Sequence, residues 1–327
     1  MRRLLTLLTL LLTLTAVAET ADRGRYISPL HFGPNAFPVP EMLDGRTSGT
    51  LKAEIAVDEY RGYAGDRTTD IFAKIQIPLF TRRVNLSVWM PVCEWYEMTA
   101  ERQRACMLQD TAAIRGHGFG DVYVTTDIQV LRARRWWPDI TLRAALKTAS
   151  GEQYEKARHY DDPGYFFDAA IGKSMYIGKD RSVSTEKKQE SDWELRIAGI
   201  AGFLCWQTVT ARQNDAYQYG VQVLVKQQYF SLRATWSGYS GWQKNGDKPM
   251  IVKGELRGYF NGWEPFVAYQ YGIRDYPFHH VRAGVAYSAD IISLAQKQTE
   301  KRRLARQQAA AQQKPTAAKE HQTGKAE

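Results

Sequence analysis

The sequence lacks long apolar runs beyond its first 18 residues, and its mean hydropathy of −0.46 is that of a polar chain. No later stretch approaches the ~20 predominantly apolar residues that a spanning helix needs, which excludes a helical membrane bundle. A transmembrane β-barrel remains possible, because its strands alternate apolar and polar residues and keep the average hydropathy low.

The motifs of common enzymes and metal sites are also missing. The six histidines have no metal-ligand spacing, and neither a GxSxG nor a phosphate-loop motif occurs. A serine near His280, either Ser237 or Ser288, leaves a barrel-embedded lipid enzyme as a minor alternative. We therefore expect no enzymatic activity, no cofactor and no metal.

Cysteine is scarce, with Cys93, Cys106 and Cys205 as the three residues of this type. If the chain is exported, the oxidising compartment would allow Cys93 and Cys106 to pair across a short loop, leaving Cys205 over. Small buried thiols on strands are an equal alternative, because the sequence gives no distances between the sulfur atoms.

Most of the chain has no strong excess of positive or negative charge. The chain has 44 basic and 35 acidic residues, a net charge of +9. Arg2 and Arg3 contribute two of these charges, and residues 296–327, with eight basic and three acidic side chains, contribute five. Residues 19–295 therefore carry only +2, which predicts no nucleic-acid partner.

The first 18 residues have the layout of a secretory signal peptide. Arg2 and Arg3 precede an apolar run from residue 4 to 14, and small residues then lead to Ala18. We predict cleavage after Ala18 and export from the cytoplasm, rather than a membrane anchor, because the run is short and Glu19 follows at once.

From Thr50 to Ile292 apolar side chains recur with a period of two, which predicts strands throughout. The strands expected from this pattern cover residues 50–61, 68–80, 84–97, 119–132, 139–149, 164–175, 193–207, 216–227, 229–240, 250–261, 264–273 and 279–292. Long strands in an even number are typical of outer-membrane barrels. A soluble β-sandwich, whose strands average ~5–6 residues, is the alternative.

Aromatic residues gather near the ends of the predicted strands, at Trp95, Tyr96, Trp136, Trp137, Tyr165, Phe166, Trp193, Trp206, Phe230 and Trp263. Amphipathic rings favour the headgroup level of a membrane, so we expect these residues to form two girdles around the barrel.

The predicted fold is all-β: an antiparallel transmembrane β-barrel of about 12 strands in the outer membrane. Its parts are a signal peptide (1–18), an N-terminal periplasmic lid or plug (19–49), the barrel (50–295) and a disordered basic tail (296–327). Short periplasmic turns should alternate with longer outer loops. The connection at 178–192 breaks this rule, since it is long and charged where a turn is expected.

Three stretches resemble a known family. These are FTRRVNLSVWMPVCEWY (80–96), GFGDV (118–122) and PDITLRAALKTASG (138–151). They are similar to the outer-membrane barrels of the meta-pathway of phenol degradation, whose members are regarded as transporters. The resemblance implies a channel-like barrel without identifying its cargo.

Taking the polar face of the strands as the lumen gives a set of candidate lining residues. They are Lys52, Glu54, Lys74, Asp127, Arg143, Lys147, Asp168, Arg196, Arg233, Lys253, Glu255, Arg257 and Arg282. These charges could form ion pairs that stiffen the barrel, or a polar constriction that also guides solute. Twelve strands predict a narrow pore at most.

We therefore expect a channel or transporter-like barrel that passes small, neutral to mildly anionic or aromatic solutes. Its expected partners are outer-membrane lipid, the barrel-assembly machinery and a small solute of unknown identity. The alternative is a closed barrel that acts as an adhesin or envelope anchor through outer loops such as residues 99–118.

Overall fold

A computed structural model places most of the region predicted to form the barrel. The residues that it describes are 31–106, 108, 114–160, 162–177, 193–207, 213–244, 246–293, 301 and 303–308. The predicted signal peptide, residues 19–30, the connection at 178–192 and most of the predicted tail lie outside the described residues.

Within these residues the chain forms thirteen strands and a short helix, α1 (Ala100–Ala105), and residues 291–293 and 303–308 are also helical. The strands are β1 (Leu51–Gly62), β2 (Arg67–Pro78), β3 (Val84–Met98), β4 (Ile114–Gly118), β5 (Tyr123–Leu131), β6 (Asp139–Lys147), β7 (Gly164–Ile177), β8 (Trp193–Gln207), β9 (Gln213–Lys226), β10 (Phe230–Gly241), β11 (Met250–Gly258), β12 (Trp263–Arg274) and β13 (Phe278–Ala289). No helix in the described part of the chain is long and apolar enough to cross a membrane.

The strands form one closed antiparallel sheet. Strands that are neighbours in sequence pair with each other, except β4 and β5, and β1 closes the circle by pairing with β13 from Leu51↔Ala289 to Gly62↔Phe278. Both β4 and β5 pair with β3, so that they share one position in the wall. The barrel therefore has twelve wall positions, and the predicted fold class and strand number are confirmed.

The fourth position in the wall is occupied by two short strands, β4 and β5, and not by the one continuous strand predicted at residues 119–132. On β3, Val92 is an extra residue opposite the step from Ile71 to Phe72, which makes a bulge. The neighbouring Pro91 has no N–H to donate, and only its carbonyl is used, by the Gly120 N–H at 3.0 Å. The regular ladder therefore stops between β4 and β5.

The two faces of the wall have opposite polarity. The apolar side chains of Ile197 and Val221 are 51% exposed on the outside, whereas their neighbours Arg196 and Gln222 are 1% and 2% exposed and point inward. A soluble β-sandwich buries its apolar face, so this arrangement excludes it. The closed wall with an apolar exterior identifies the protein as an outer-membrane β-barrel.

Aromatic side chains lie outside the barrel near both ends, but three of the predicted girdle residues do not. Trp136 and Trp95 are 82% and 45% exposed, as expected for interface anchors. Tyr96, Phe166 and Trp206 are instead at most 6% exposed and face the interior. The prediction was wrong for these three, because each occupies an inward position of the two-residue period.

The cysteines are free thiols, with Cys106 and Cys205 buried and Cys93 partly exposed. The structure therefore favours separate thiols on the wall and its loops over the Cys93–Cys106 bridge.

We predict that Val221→Arg, near the middle of β9 on the outer face, destabilises the barrel in lipid by ~2–4 kcal/mol, because an arginine near the bilayer midplane is poorly solvated. Tyr229→Arg in the β9–β10 turn is the control and should cost about 1 kcal/mol or less. The free energy of unfolding in vesicles measures both. Equal costs for the two variants would contradict the placement of Val221 in the membrane.

Candidate functional site

Residues 31–50, here called the lumen segment, run through the barrel interior. We call the two ends of the barrel the loop end, where the β1–β2 and β6–β7 connections lie, and the turn end, where the β2–β3 connection lies. At the loop end Phe32 and Phe37 are buried in one cluster with Tyr160 and Trp206. At the turn end the Thr47 hydroxyl donates to the carbonyl oxygen of Arg82 at 2.8 Å.

The loop end of the lumen segment is bound by buried charges. Arg102 of α1 is fully buried, donates from Nε to Asp66 at 2.8 Å, and donates from Nη2 to the carbonyl oxygens of His31 (2.8 Å) and Phe32 (3.1 Å). Arg158 donates to Asp66 at 3.1 Å. Buried charges are stable only when they are paired, so these contacts fix the loops and the segment together.

A second arginine contact extends this network, which we call the loop-end cluster: Asp66, Glu94, Arg102, Arg158 and His159. Arg158 donates from Nε to Glu94 at 2.9 Å. His159 is 1% exposed, with Nε2 3.4 Å from Glu94 and Nδ1 3.8 Å from Asp121. Burial by itself lowers the pKa of His159, but these two carboxylates outweigh burial and raise its pKa to about 9.

Wall side chains also satisfy polar groups of the segment. The Asn35 amide donates to Asp70 at 2.7 Å and to Glu94 at 2.9 Å, and the Tyr60 hydroxyl donates to the Asn35 oxygen at 3.2 Å. The Tyr239 hydroxyl donates to the carbonyl oxygen of Phe37 at 3.2 Å. Buried polar groups need hydrogen-bond partners, and these contacts supply them while holding the segment in one path.

Nearer the turn end, the segment passes very close to β6 and β7. Gly45 has a φ of +85°, a conformation that favours glycine. A Cβ on Gly172 would lie 2.2 Å from the carbonyl oxygen of Asp44, so the absence of a side chain there allows the close approach. Arg196 donates to the same carbonyl oxygen from Nη2 at 2.6 Å.

Two polar cavities flank the segment at Glu41 and Met42. The side cavity has a volume of about 150 Å³, and the turn-end cavity about 520 Å³. Six basic and three acidic residues line the side cavity: Lys52, Lys74, Arg233, Lys253, Arg257, Arg282, Glu41, Glu54 and Glu255. The turn-end cavity has the same balance: Arg46, Lys52, Lys74, Arg143, Lys226, Arg233, Glu41, Asp44 and Asp127. Both are therefore net cationic.

The structure divides the predicted lining residues into two groups. Those that border a cavity are Lys52, Glu54, Lys74, Asp127, Arg143, Arg233, Lys253, Glu255, Arg257 and Arg282. The others are held in buried ion pairs: Lys147 with Asp121 (2.8 Å), Asp168 with Arg143 (2.6 Å) and Arg196 with Asp139 (2.9 Å). Ion pairing and cavity lining therefore both occur, and residues such as Arg143 take part in both.

Many wall charges pair with each other. Arg282 donates to Asp58 at 2.6 and 2.7 Å, directly opposite on β1, and Arg143 is likewise opposite its partner Asp168. Arg257 contacts Glu255 at 3.1 Å, and also Glu264 and Glu54. Cross-strand pairs in direct register stabilise neighbouring strands.

Sequence reasoning missed the residues that bind the lumen segment. Glu41 lies in a proline-containing stretch without periodicity, and the arginines of the loop-end cluster lie in connections between strands, Arg102 in the short α1, so no pattern marked them. Phe166 could have been placed inside, because it is two residues from the inward Asp168. The minor enzyme alternative gains no support at Ser288, since it donates to Glu264 at 2.6 Å while His280 faces Asp58 at 2.9 Å.

The part of the chain that the structure describes has no group of three or more His, Cys, Asp or Glu side chains arranged to hold a metal ion.

Comparisons with solved structures find other outer-membrane barrels. The NanC porin aligns with a TM-score of 0.45 at 10% identity, over 72% of this chain and 98% of its own. An outer-membrane channel from Pseudomonas putida F1 aligns with a TM-score of 0.44 at 11% identity, over 83% and 100%. The KdgM porin aligns with a TM-score of 0.41 at 10% identity, over 72% and 99%.

No family model and no curated protein matches the sequence. The resemblance to the meta-pathway barrels is therefore shown only as far as an outer-membrane β-barrel, and both the channel role and membership of that group stay predictions. The solute of this protein must be inferred from its own lumen, since likenesses this distant carry no argument about solutes.

We predict that the protonated His159 stabilises the folded barrel. Its pKa is raised from an ordinary value of 6.5, so its contribution is complete below about pH 6.5 and is lost as the pH rises through about 9. The full contribution is roughly 3 kcal/mol, since each pKa unit corresponds to ~1.4 kcal/mol. Thermal unfolding in detergent should therefore show a falling midpoint between pH 6.5 and 9.5, and His159→Gln should remove most of this slope.

The control for this prediction is His279→Gln, because His279 is exposed on the outer face, where it contacts Tyr269. This variant should keep the slope of the unmodified protein. An unchanged slope in His159→Gln would contradict the proposed role of the loop-end cluster.

Proposed function

We propose that the protein is a narrow channel for small anionic to neutral solutes, and that the lumen segment is its plug. The observation that carries the proposal is the pair of net-cationic cavities beside Glu41, together with the burial of Phe32 and Phe37 in the aromatic cluster that fills the loop end. The loop end is therefore filled by the segment together with inward aromatic side chains of the wall, such as Phe166 and Trp206. Solute passage requires the segment to move.

The distribution of contacts supports a movable plug over permanent filler. The lumen segment is joined to the wall by ion pairs, hydrogen bonds and aromatic contacts, and no residue of it belongs to a strand of the closed sheet. Release of the lumen segment would therefore leave the hydrogen bonds between the strands of the wall intact. The excess of lysine and arginine around both cavities would then favour anions through the electrostatic potential that confined charges create.

We predict that Gly33→Leu increases conductance. A Cβ at Gly33 would lie 2.8 Å from the carbonyl oxygen of Arg158, so a larger side chain must displace the segment from the loop-end cluster. Gly254→Leu is the matched control, because a Cβ there meets nothing within 4 Å. Single-channel recording in planar bilayers should show several-fold more current for Gly33→Leu than for the unmodified protein, and no change for Gly254→Leu.

The same recordings test the selectivity. A reversal potential under a potassium chloride gradient should indicate preference for chloride in Gly33→Leu. Silence in folded Gly33→Leu, or preference for potassium, would contradict the proposal; silence would favour the alternative of a closed barrel that serves as an adhesin or anchor.

A further inference from the structure

The carboxylate of Glu41 lies among three cations of the wall. Its Oε2 is 3.1 Å from Nζ of Lys74 on β2, and its Oε1 is 3.4 Å from Nη1 of Arg282 on β13 and 3.7 Å from Nζ of Lys253 on β11. Three strands that are far apart in sequence thus converge on one carboxylate. We call Lys74, Lys253 and Arg282 the wall triad.

Two members of the wall triad depend on the lumen segment for their partner. Among the described residues, Glu41 is the only carboxylate within 4.0 Å of either Lys74 or Lys253. Arg282 differs, because it also donates to Asp58 at 2.6 Å. Withdrawal of Glu41 would leave two lysines unpaired in a confined space, where an uncompensated charge is unfavourable and attracts a replacement anion.

The wall triad is also accessible from a cavity that is large enough for a small molecule. The Glu41 side chain is 46% exposed although it lies inside the barrel, since it faces the side cavity. That cavity has a volume of about 150 Å³. An internal cavity of roughly this size accommodates a molecule as large as benzene, which has six non-hydrogen atoms. A carboxylate with a short carbon chain fits the same space.

We propose that the wall triad is the binding site for the carboxylate group of a small organic acid, and that Glu41 occupies this site when the channel is closed. The inference rests on the proposed channel function and specifies its solute class. The solute carboxylate takes the place of the Glu41 carboxylate on Lys74 and Lys253. Binding of the solute and release of Glu41 from these two lysines are therefore the same exchange. No covalent step is involved.

The test compares propionate with propionamide, which has the same shape but no charge. Both are titrated by calorimetry into the refolded full chain and into Glu41→Gln, in which the side chain keeps its size but no longer competes as an anion. We expect Glu41→Gln to bind propionate at least tenfold more tightly than the unmodified protein, equivalent to ~1.4 kcal/mol. Binding of propionamide should not change, and adding Lys253→Met to Glu41→Gln should abolish the gain.

Glu264→Gln is the matched control. It removes one interior carboxylate as well, but Glu264 contacts Lys52 at 2.7 Å and Arg257 at 3.2 Å and does not contact the wall triad. A tenfold gain in Glu41→Gln without one in Glu264→Gln supports the site. Equal gains in the two variants, or equal responses to propionate and propionamide, would overturn it in favour of a nonspecific charge effect.

Two further measurements keep the test decisive. If Glu41→Gln does not refold, Glu41→Asp replaces it; the shorter side chain withdraws from the lysines, and a smaller gain for propionate alone is expected. Bilayer recordings on Gly33→Leu, beside the titrations of Glu41→Gln, separate the two proposals. Tighter propionate binding in Glu41→Gln without current in Gly33→Leu would retain the carboxylate site and refute the channel, whereas current in Gly33→Leu without tighter propionate binding in Glu41→Gln would refute the site.

Discussion

A charge inside a closed barrel must have a partner, and this requirement governs the interior of the molecule. Part of the wall meets it alone, because Arg143 faces Asp168 and Arg282 faces Asp58 in direct cross-strand register. The rest depends on the lumen segment, whose Glu41 pairs with Lys74 and Lys253. The segment is therefore part of the electrostatic structure of the barrel, and its removal would change the charge of the lumen as well as its width.

The lumen segment is held by contacts of different strength at its loop end and around Glu41. At the loop end, the fully buried Arg102 donates to the carbonyl oxygens of His31 and Phe32, and hydrogen bonds that involve a charged group typically contribute ~1.5–3 kcal/mol. Near the cavities, the Glu41 carboxylate is 46% exposed to the side cavity, and water there weakens its ion pairs relative to fully buried ones. Local opening should therefore begin around Glu41, and solute passage additionally requires release of the contacts at the loop end.

The sequence predicted the wall far better than the interior, for a physical reason. A strand that separates lipid from a polar lumen must alternate, so residues such as Val221 and Gln222 reveal their faces through a period of two. The interruption between β4 and β5 escaped this reasoning, since it arises from the bulge and missing N–H at Val92 and Pro91 on a different strand. A contact between two strands produces no repeating pattern in the sequence of either strand, so it cannot be read from alternation.

The same limit explains why the candidate site was only half predicted. The wall cations could be placed by alternation, but their partner Glu41 lies in a segment that has no repeating backbone geometry and whose path is set by the cavity around it. The consequence for the proposed channel is specific. When Glu41 withdraws, the side cavity keeps its six basic residues but loses one of its three acidic ones. Opening thus makes the lumen more cationic, so that in such a channel the movement that admits a solute also strengthens the preference for anions.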